Sequence, residues 1–527
     1  MALFTDAQRS FCHEIARLSV CNPFLPERIE CEQAALGDEY VEQRDGAWNV
    51  PDGRNQPPLN LLKIQEKVEA LSAEAAARLS ETGGRRVSGR DRELYESLIL
   101  FLLFHRHHQQ LTRTIEQGLA GGEDASPPKV TFYAEFESEA NRLLGALEPA
   151  STLLGELDHI FACLFQVRRA FHNIFDHILG ASPPAVRLRA AVWQSIFTHD
   201  LGRYRRSYYR RIGDVTTLIT GRSGTGKELV ARAIGLSRYI RFDAASRRFE
   251  ANFAGSFLPL NLSALSPTLI ESELFGHRRG AFTGAVADRP GWLEVCPEWG
   301  AVFLDEIGDL DATIQVKLLR ALQSRGFQRI GETQQRRFTG KIIAATNRDL
   351  DAEMQQGRFR EDFYYRLCSD ILTTPGLAEQ LQHAAGELRR LIGHIAARVT
   401  GEDSDDLADE VTRWIEANLP ADYGWPGNFR ELEQCVRNVM IRGSYRPAST
   451  GRTARREDGL PIAAIKEGAL TCEQLLRDYC AHVYMLTGSY EATARRLGVD
   501  RRTVKARVQA ARRPAEGPDH AAAADPA

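Results

Sequence analysis

The sequence predicts an α/β core built on a parallel sheet and closed by a helical lid. This core is set between a mostly α-helical N-terminal domain and an all-α C-terminal helix-turn-helix domain. Three observations carry the prediction. A β-rich run, 215–220, feeds a glycine-rich turn and then a good helix former, 228–234. From there to residue 346, apolar strand-like runs alternate with amphipathic stretches, the pattern of βαβ units. On both flanks, 3.6-residue periodicity is broken by short Gly- and Pro-containing turns.

Bulk properties bound the reading. A chain of 527 residues has room for about three or four domains at ~100–200 residues each. Its 43% apolar content supports real cores, and a formal net charge of −3 means that any basic patch must be local. The nine cysteines (Cys12, Cys21, Cys31, Cys163, Cys296, Cys368, Cys435, Cys472 and Cys480) form no C-x-x-C pair. Reduced thiols in a cytoplasmic protein are therefore expected, not a disulfide frame or a zinc site. The longest apolar run, 98–104, is too short to span a bilayer, so no membrane partner is expected.

Residues 1–184 are read as a helical regulatory domain, periodic at 61–79, 91–119, 136–144, 153–178 and 185–198, with breaks at 121–128 and 180–184. Its histidines gather at His105, His107, His108, His159, His172 and His177. Glu156 and His159 have the Glu-x-x-His spacing of carboxylate-bridged metals, but the second pair such a site needs is missing. Ordinary helix histidines are expected. Residues 185–214 form a connector. Its run 203–211, RYRRSYYRR, has the composition of a nucleic-acid surface, yet its place before the first strand favours a lined domain junction.

The α/β part spans 215–376. Gly221, Arg222, Ser223, Gly224, Thr225, Gly226, Lys227 and Glu228 meet G-x-x-x-x-G-K-[ST] except at the last place, where Glu228 replaces the hydroxyl that would touch Mg²⁺. Strand, glycine loop and helix together aim backbone N–H groups and a helix N-terminus at phosphate oxygens, and Lys227 would reach the β/γ pair. Residues 238–254 read as an inserted loop. The next strand, 257–262, carries Asn261 near its end, and a helix over 267–274 follows. Gly280, Ala281, Phe282, Thr283, Gly284 and Ala285 then form a glycine-bracketed tip on which Phe282 should be exposed as a partner contact. Residues 300–306 make a buried strand ending in Asp305 and Glu306. Behind a phosphate loop, Asp305 suits Mg²⁺ and Glu306 is placed to polarise attacking water. An amphipathic stretch, 313–323, precedes the strand 341–346. Asn347, just past its end, could sense the γ-phosphate or orient water. Arg360 and Arg366 flank an aromatic run, and such cations can be supplied to a neighbouring subunit's phosphoryl transfer.

Residues 377–442 are helical and form the lid, with Arg430 in the first turn of its last helix, positioned to drop onto the nucleotide. A linker, 443–468, leads to the C-terminal domain, 469–513, with helices over 470–486 and 490–497, a turn at Gly498, and a third helix from Arg501 capped by Asp500. That third helix carries Arg501, Arg502, Thr503, Lys505, Arg507, Arg512 and Arg513, so a major-groove DNA reader is expected. The tail 514–527 should be disordered.

Taken together, these motifs resemble the bacterial sigma-54-dependent transcriptional activators, or enhancer-binding proteins, a branch of the AAA+ ATPases. The likeness covers 215–442 and resumes at the C-terminal helices, which are similar to the Fis type. GRSGTGKE is that family's form of the loop, with Glu228 a family trait. GAFTGA at Gly280–Ala285 is its signature for contacting sigma-54. The resemblance implies that Asp305 and Glu306 are the Walker B pair and that Asn261 restrains the catalytic glutamate. It places Asn347 in the first sensor, makes Arg360 and Arg366 trans-acting fingers, and makes Arg430 the second sensor. It further implies ATP and Mg²⁺ as cofactors, a homo-oligomeric ring, expected to be a hexamer, and sigma-54 RNA polymerase and upstream DNA as partners. An unidentified ligand or protein would act at the N-terminal domain. Two features depart from the family pattern. Residues 375–380, PGLAEQ, replace a proline- and arginine-rich stretch, and the insert 238–254 is long. No receiver-type aspartate pocket is found. Two other classes stay open at this point: a DNA-binding repressor with a vestigial ATPase domain, and an AAA+ remodeller unrelated to transcription.

Overall fold

The computed structural model describes residues 2–42, 58–81, 87–382, 386–401, 404–447 and 471–512. They fall in two compact units, Met1–Ser444 and Tyr445–Ala527. Most of the expected linker, Arg513 and the C-terminal tail lie outside the described residues.

The first unit opens with α1 (Asp6–Leu18) and α2 (Glu27–Leu36), which the periodicity reading does not name. Thr5 starts α1 with a reciprocal cap: its hydroxyl accepts the Gln8 N–H, and the Gln8 side chain accepts the Thr5 N–H. Then come α3 (Leu59–Glu81), α4 (Gly89–Arg106), α5 (His108–Ala120), α6 (Tyr133–Leu144) and α7 (Leu157–His177). The one helix expected over 91–119 is two, because the chain turns at His107. Its buried ring stacks on Phe132 at 5.6 Å and lies 3.2 Å from the Glu139 carboxylate. Tertiary burial here outweighs unbroken periodicity. α8 (Pro183–Phe197) begins at the N-cap Ser182, and α9 (Leu201–Arg206) follows.

Next come β1 (Thr217–Thr220), α10 (Lys227–Gly235), the hairpin β2 (Phe242–Asp243) and β3 (Arg248–Phe249), β4 (Phe257–Asn261) and α11 (Pro267–Phe275). The chain continues through β5 (Gly276–His277), β6 (Arg289–Pro290), α12 (Trp292–Val295), β7 (Ala301–Asp305), α13 (Ala312–Ser324), β8 (Gly326–Phe327) and β9 (Arg336–Arg337). It ends the α/β part with β10 (Lys341–Thr346), α14 (Leu350–Gln355), α15 (Glu361–Leu367) and β11 (Asp370–Thr373). Five strands form one all-parallel sheet in the order β11-β1-β10-β7-β4. The lid is α16 (Leu377–Leu381), α17 (Glu387–Thr400), α18 (Asp405–Asn418) and α19 (Asn428–Arg442).

Side-chain alternation along the strands sorts two cores. Leu218, Val302, Leu304, Ile342 and Ala344 face one side, and Ile219, Phe303, Ile343 and Ala345 face the other. On that second side, Ala170 and Ile174 of α7 and Trp193 and Phe197 of α8 share a core with Val230, Ala231 and Ile234 of α10. The helical N-terminal region thus supplies part of a layer of the α/β sandwich.

The inserted segment strengthens this union. Phe242 and Phe249 of the β2–β3 hairpin, with Phe253, enter the N-terminal core, Phe249 stacking on Phe165 at 4.2 Å and Phe242 lying 4.7 Å from Phe161. Gln166 and Asn173 of α7 each donate to Ser237, at 3.0 Å. The fully buried Arg169 donates to the carbonyl of Arg238 between the rings of Phe165 and Phe253. In the run 203–211, Tyr204 is buried and hydrogen-bonds Gln166, and Tyr209 packs on His159 at 4.3 Å. Arg203, Arg206, Tyr208, Arg210 and Arg211 stay at the surface, so of this run it is Tyr204 and Tyr209 that pack inward, and not these arginines, which the connector reading also places at a junction.

The second unit packs α20 (Cys472–Thr487), α21 (Tyr490–Leu497) and α22 (Arg501–Arg512) around Cys480, Ala494, Val504 and Val508. All nine cysteines are free thiols. Among the described residues, no helix is long and apolar enough to cross a membrane, and no group of three metal-ligating side chains occurs. His159 lies between the Tyr239 hydroxyl at 2.9 Å and the Arg205 carbonyl at 2.8 Å, and Glu156 acts on it through its charge.

Candidate functional site

Gly221, Gly224 and Gly226 all have positive φ, which lets the loop between β1 and α10 curl back on itself. A Cβ on Gly221 would strike the Thr374 hydroxyl, and one on Gly224 would strike the Gly427 carbonyl. Gly226 is the N-cap of α10, so the helix starts at Lys227 with its free N–H groups facing the loop. Lys227 is buried, and its Nζ donates to the carbonyls of Gly221 at 3.1 Å and Arg222 at 3.4 Å. Burial lowers its pKa, opposed by the Glu306 and Asp305 carboxylates. Thr225 donates to the Arg222 carbonyl at 2.8 Å and shares a 2.6 Å hydrogen bond with Thr374, just past β11. Glu228 pairs with Arg232 at 3.2 Å.

Asp305 ends β7 beside Asn261 of β4. Burial raises its pKa, with the Glu306 carboxylate adding to the effect, and its Oδ1 accepts the Glu306 N–H at 3.1 Å. Glu306 is left-handed, with φ 57° and ψ 50°. That conformation costs a non-glycine residue about 1–3 kcal/mol and aims its side chain away from the strand direction. Glu306 Oε2 accepts the backbone N–H of Asn347 at 3.2 Å. The expected contact of Asn261 with this glutamate is not formed. Asn261 Oδ1 instead accepts the N–H and hydroxyl of Ser263, at 3.1 and 2.9 Å, because it caps the turn that follows β4. It is therefore the main chain of Asn347 that grips Glu306. β1, β10 and β7 are neighbours in the sheet, and Lys227, Asn347 and the acid pair all follow their carboxyl ends.

The lid closes on the loop from the other side. Arg430 Nη1, in the first turn of α19, lies 3.4 Å from the Ser223 hydroxyl. Two contacts that no sequence motif announced accompany it. Asn428 donates to the Ser223 carbonyl at 2.9 Å while accepting the Leu377 N–H at 3.0 Å, and the Phe429 N–H donates to the Gly224 carbonyl at 3.0 Å. Asn428 has φ +52°, which aims its amide into the loop. Arg360 pairs with Asp362 at 2.8 Å, and Arg366 is exposed near the end of α15. Among the described residues, neither hydrogen-bonds or ion-pairs with this chain's own loop or acid pair.

The Gly280–Ala285 tip rises from the β5–β6 pair. It is closed by the Gly280 N–H donating to the Ala285 carbonyl at 2.8 Å, and it is braced by Arg278 and Asp288 at 2.5 Å. Phe282 is not the exposed aromatic expected. It folds back half-buried with its ring edge-on to His277 at 4.9 Å, and His277 is itself held by Ser272 at 2.7 Å. A neighbouring ring offers Phe282 apolar contact that water does not. Val286, just past the tip, is 84% exposed instead.

In the C-terminal unit, Gly498 has φ +67° and Asp500 Oδ1 accepts the Arg502 N–H at 2.7 Å, starting α22. Arg501, Arg502, Thr503 and Lys505 are exposed on that helix. Arg507 departs from the expected open face. It is half-buried with one guanidinium nitrogen inside and lies near Cys480, because α22 packs on α20 along this side.

Comparison with known proteins gives the following matches. The family described as the Sigma-54 interaction domain matches residues 204–372. The transcriptional regulatory protein ZraR of Escherichia coli O157:H7 is 37% identical over 384 residues, which cover 72% of this chain and 81% of that protein. ZraR of Escherichia coli (strain K12) is 37% identical over 297 residues, 56% of this chain and 63% of the relative. The Nif-specific regulatory protein of Azotobacter vinelandii is 38% identical over 300 residues, 56% of this chain and 54% of the relative. The chain therefore spans less than two thirds of the length of the last two.

Proposed function

We propose, from the premise that the chain belongs to the sigma-54-dependent transcriptional activators, that it is an ATPase which remodels the closed promoter complex of sigma-54 RNA polymerase. The observation that carries this reading is the convergence of Lys227, Asp305, Glu306 and the Asn347 N–H at the ends of three adjacent parallel strands, under a lid that places Arg430 on the loop.

ATP phosphates would lie on the N–H groups of 221–227 and the start of α10, with Lys227 released from its two carbonyls to the β/γ-phosphates. Asp305 is the residue suited to Mg²⁺, being a hard oxygen donor that lies beside the Glu306 carboxylate and the Lys227 ammonium. Mg²⁺ bound there would neutralise charge on the phosphate oxygens. Glu306 takes the proton of a water whose oxygen attacks the γ-phosphorus as the bond to the β-phosphate oxygen breaks. Arg430 neutralises phosphate charge from the lid, and Arg360 or Arg366 of a neighbouring protomer does so across a ring interface. The Gly280–Ala285 tip would deliver the resulting movement to sigma-54. Arg501, Arg502, Thr503 and Lys505 would hold upstream DNA.

The test is ATP hydrolysis together with sigma-54-dependent transcription from a linear template. Glu306→Gln should bind ATP yet lose at least ~10²-fold in turnover, and Lys227→Ala should lose nucleotide binding. Both should abolish promoter opening. An unaltered transcript yield with Lys227→Ala would overturn the reading.

A further inference from the structure

A carboxylate far from the phosphate loop joins the N-terminal region to the lid. Glu387, in the first turn of α17, is completely buried. Its Oε1 accepts the N–H of Ala181 at 2.7 Å and of Ser182 at 3.3 Å, both in the turn between α7 and α8. Its other oxygen pairs with Arg390 at 2.8 Å. The turn is shaped for this acceptor. Gly180 has φ +100°, and a Cβ there would collide with Glu387 Oε1 and press on Gln380 at 3.1 Å. Arg189 of α8, also buried, donates to the carbonyls of Ile178 and Gly180, at 2.8 and 2.5 Å, and so fixes the turn from below.

From Glu387 a short physical path leads to the nucleotide site. α17 packs on α19, and α16 packs on both α8 and α19. The Leu377 N–H of α16 donates to Asn428, whose amide in turn holds the Ser223 carbonyl of the phosphate loop, beside Arg430. Upstream, the same turn is continuous with α7, which lies against α10, the helix that begins at Lys227. Two routes therefore link the N-terminal helices to the site, one through α10, whose body packs on α7, and one through Glu387 by way of the lid.

We propose that Glu387 is a positioning residue for the nucleotide site, tying the α7–α8 turn to the lid so that the N-terminal region sets how Asn428 and Arg430 engage the phosphate loop. This rests on the reading of that loop as an ATP site. A buried carboxylate accepting two N–H groups is a strong tie, and removing it leaves both donors without a partner.

The experiment uses the full chain and measures the dissociation constant of a fluorescent ADP analogue, kcat and KM for ATP, melting temperature, and hydrogen exchange at 221–228 and 428–432. Glu387→Ala should weaken ADP binding and raise KM by roughly tenfold, with faster exchange in both segments. Glu387→Gln keeps a carbonyl acceptor for the two N–H groups and should restore most of the affinity. Gly180→Ala, acting from the other partner, should reproduce the Glu387→Ala pattern, and the double variant should be little worse than either single one. Gln380→Ala is the gentler variant should the others fold poorly, and a smaller shift in the same direction is expected of it. A lowered melting temperature with unchanged ADP affinity, KM and exchange would sink the proposal and leave Glu387 purely structural. Failure of the unaltered chain to bind the ADP analogue, in contrast, would sink the nucleotide reading itself.

Discussion

Lys341 stands first in a strand whose other five residues are apolar or hydroxyl-bearing and buried, and it is itself buried. Its Nζ donates to the Val215 carbonyl at 2.7 Å, with Asp370 attracting its charge and Arg238 and Arg325 repelling it. Burial is the largest influence and pushes its pKa down to about 7 from an ordinary 10.5. Between those two values the unfolded chain holds a proton that the folded chain does not, so folding stability rises with pH through this window. The contribution falls away as pH drops from the upper value to the lower. The slope from one such group is at most ~1.4 kcal/mol per pH unit. Lys341→Met should therefore gain stability relative to the parent at pH 7 and lose that advantage by pH 10. Urea denaturation at both pH values reads the difference, because cysteines and tyrosines titrating in the same range cancel between the two proteins. A pH-independent difference would mean that Lys341 is charged in the fold.

Among the elements, the hairpin of β2 and β3 binds more tightly than a surface insertion should. Phe249 is buried against Phe165 and Phe161, so Phe249→Ala should cost about 3–5 kcal/mol. Denaturant unfolding followed by tryptophan fluorescence would show it, and a loss under ~1 kcal/mol would mean that the hairpin is a loose flap. Nothing in the residues 238–254 announces this role. Two-residue strands leave too short a pattern for period-2 alternation, and the partner helix lies some eighty residues earlier. Four of the five strands of the main sheet were legible because each is an apolar run between turn residues, and 341–346 agrees residue for residue with the expectation. β11, Asp-Ile-Leu-Thr with only Leu372 buried, was not read as a strand because it has no such run. The phosphate loop, the acid pair and Arg430 were legible because their chemistry requires local spacing. Asn261, Phe282 and Arg507 make contacts that were not legible, for the opposite reason: each has a nearby alternative partner, namely Ser263, His277 and the α20–α22 interface, and spacing does not show which one wins. Thr374 and Glu387 carry no motif, Asn428 sits in the turn before α19 with no role that spacing assigns, and what each of the three does exists only where separate segments meet.

For the whole molecule, the decisive feature is that the N-terminal helices and the α/β core share their interior. A regulatory domain on a linker could be cut away near residue 185 to leave an intact ATPase, but here the cut would remove α7 from α10 and bare Phe242, Phe249 and Phe253 together. Each such side chain contributes about 1.5–3 kcal/mol when buried, and the three together rival the ~5–15 kcal/mol net stability of a typical fold. The backbone tie of Ala181 and Ser182 to Glu387 would be cut loose as well. A chain starting at residue 185 should consequently aggregate or bind an apolar dye strongly, and it should melt well below the full chain. Size-exclusion chromatography and a thermal scan of the two proteins would check this. If the shortened chain were monodisperse and equally stable, the shared core would be a contact of convenience, and the N-terminal region could act as a removable brake. If it fails as expected, loss of ATPase on truncation says nothing about activation, and the control exerted by this region has to be read from point variants in the full chain.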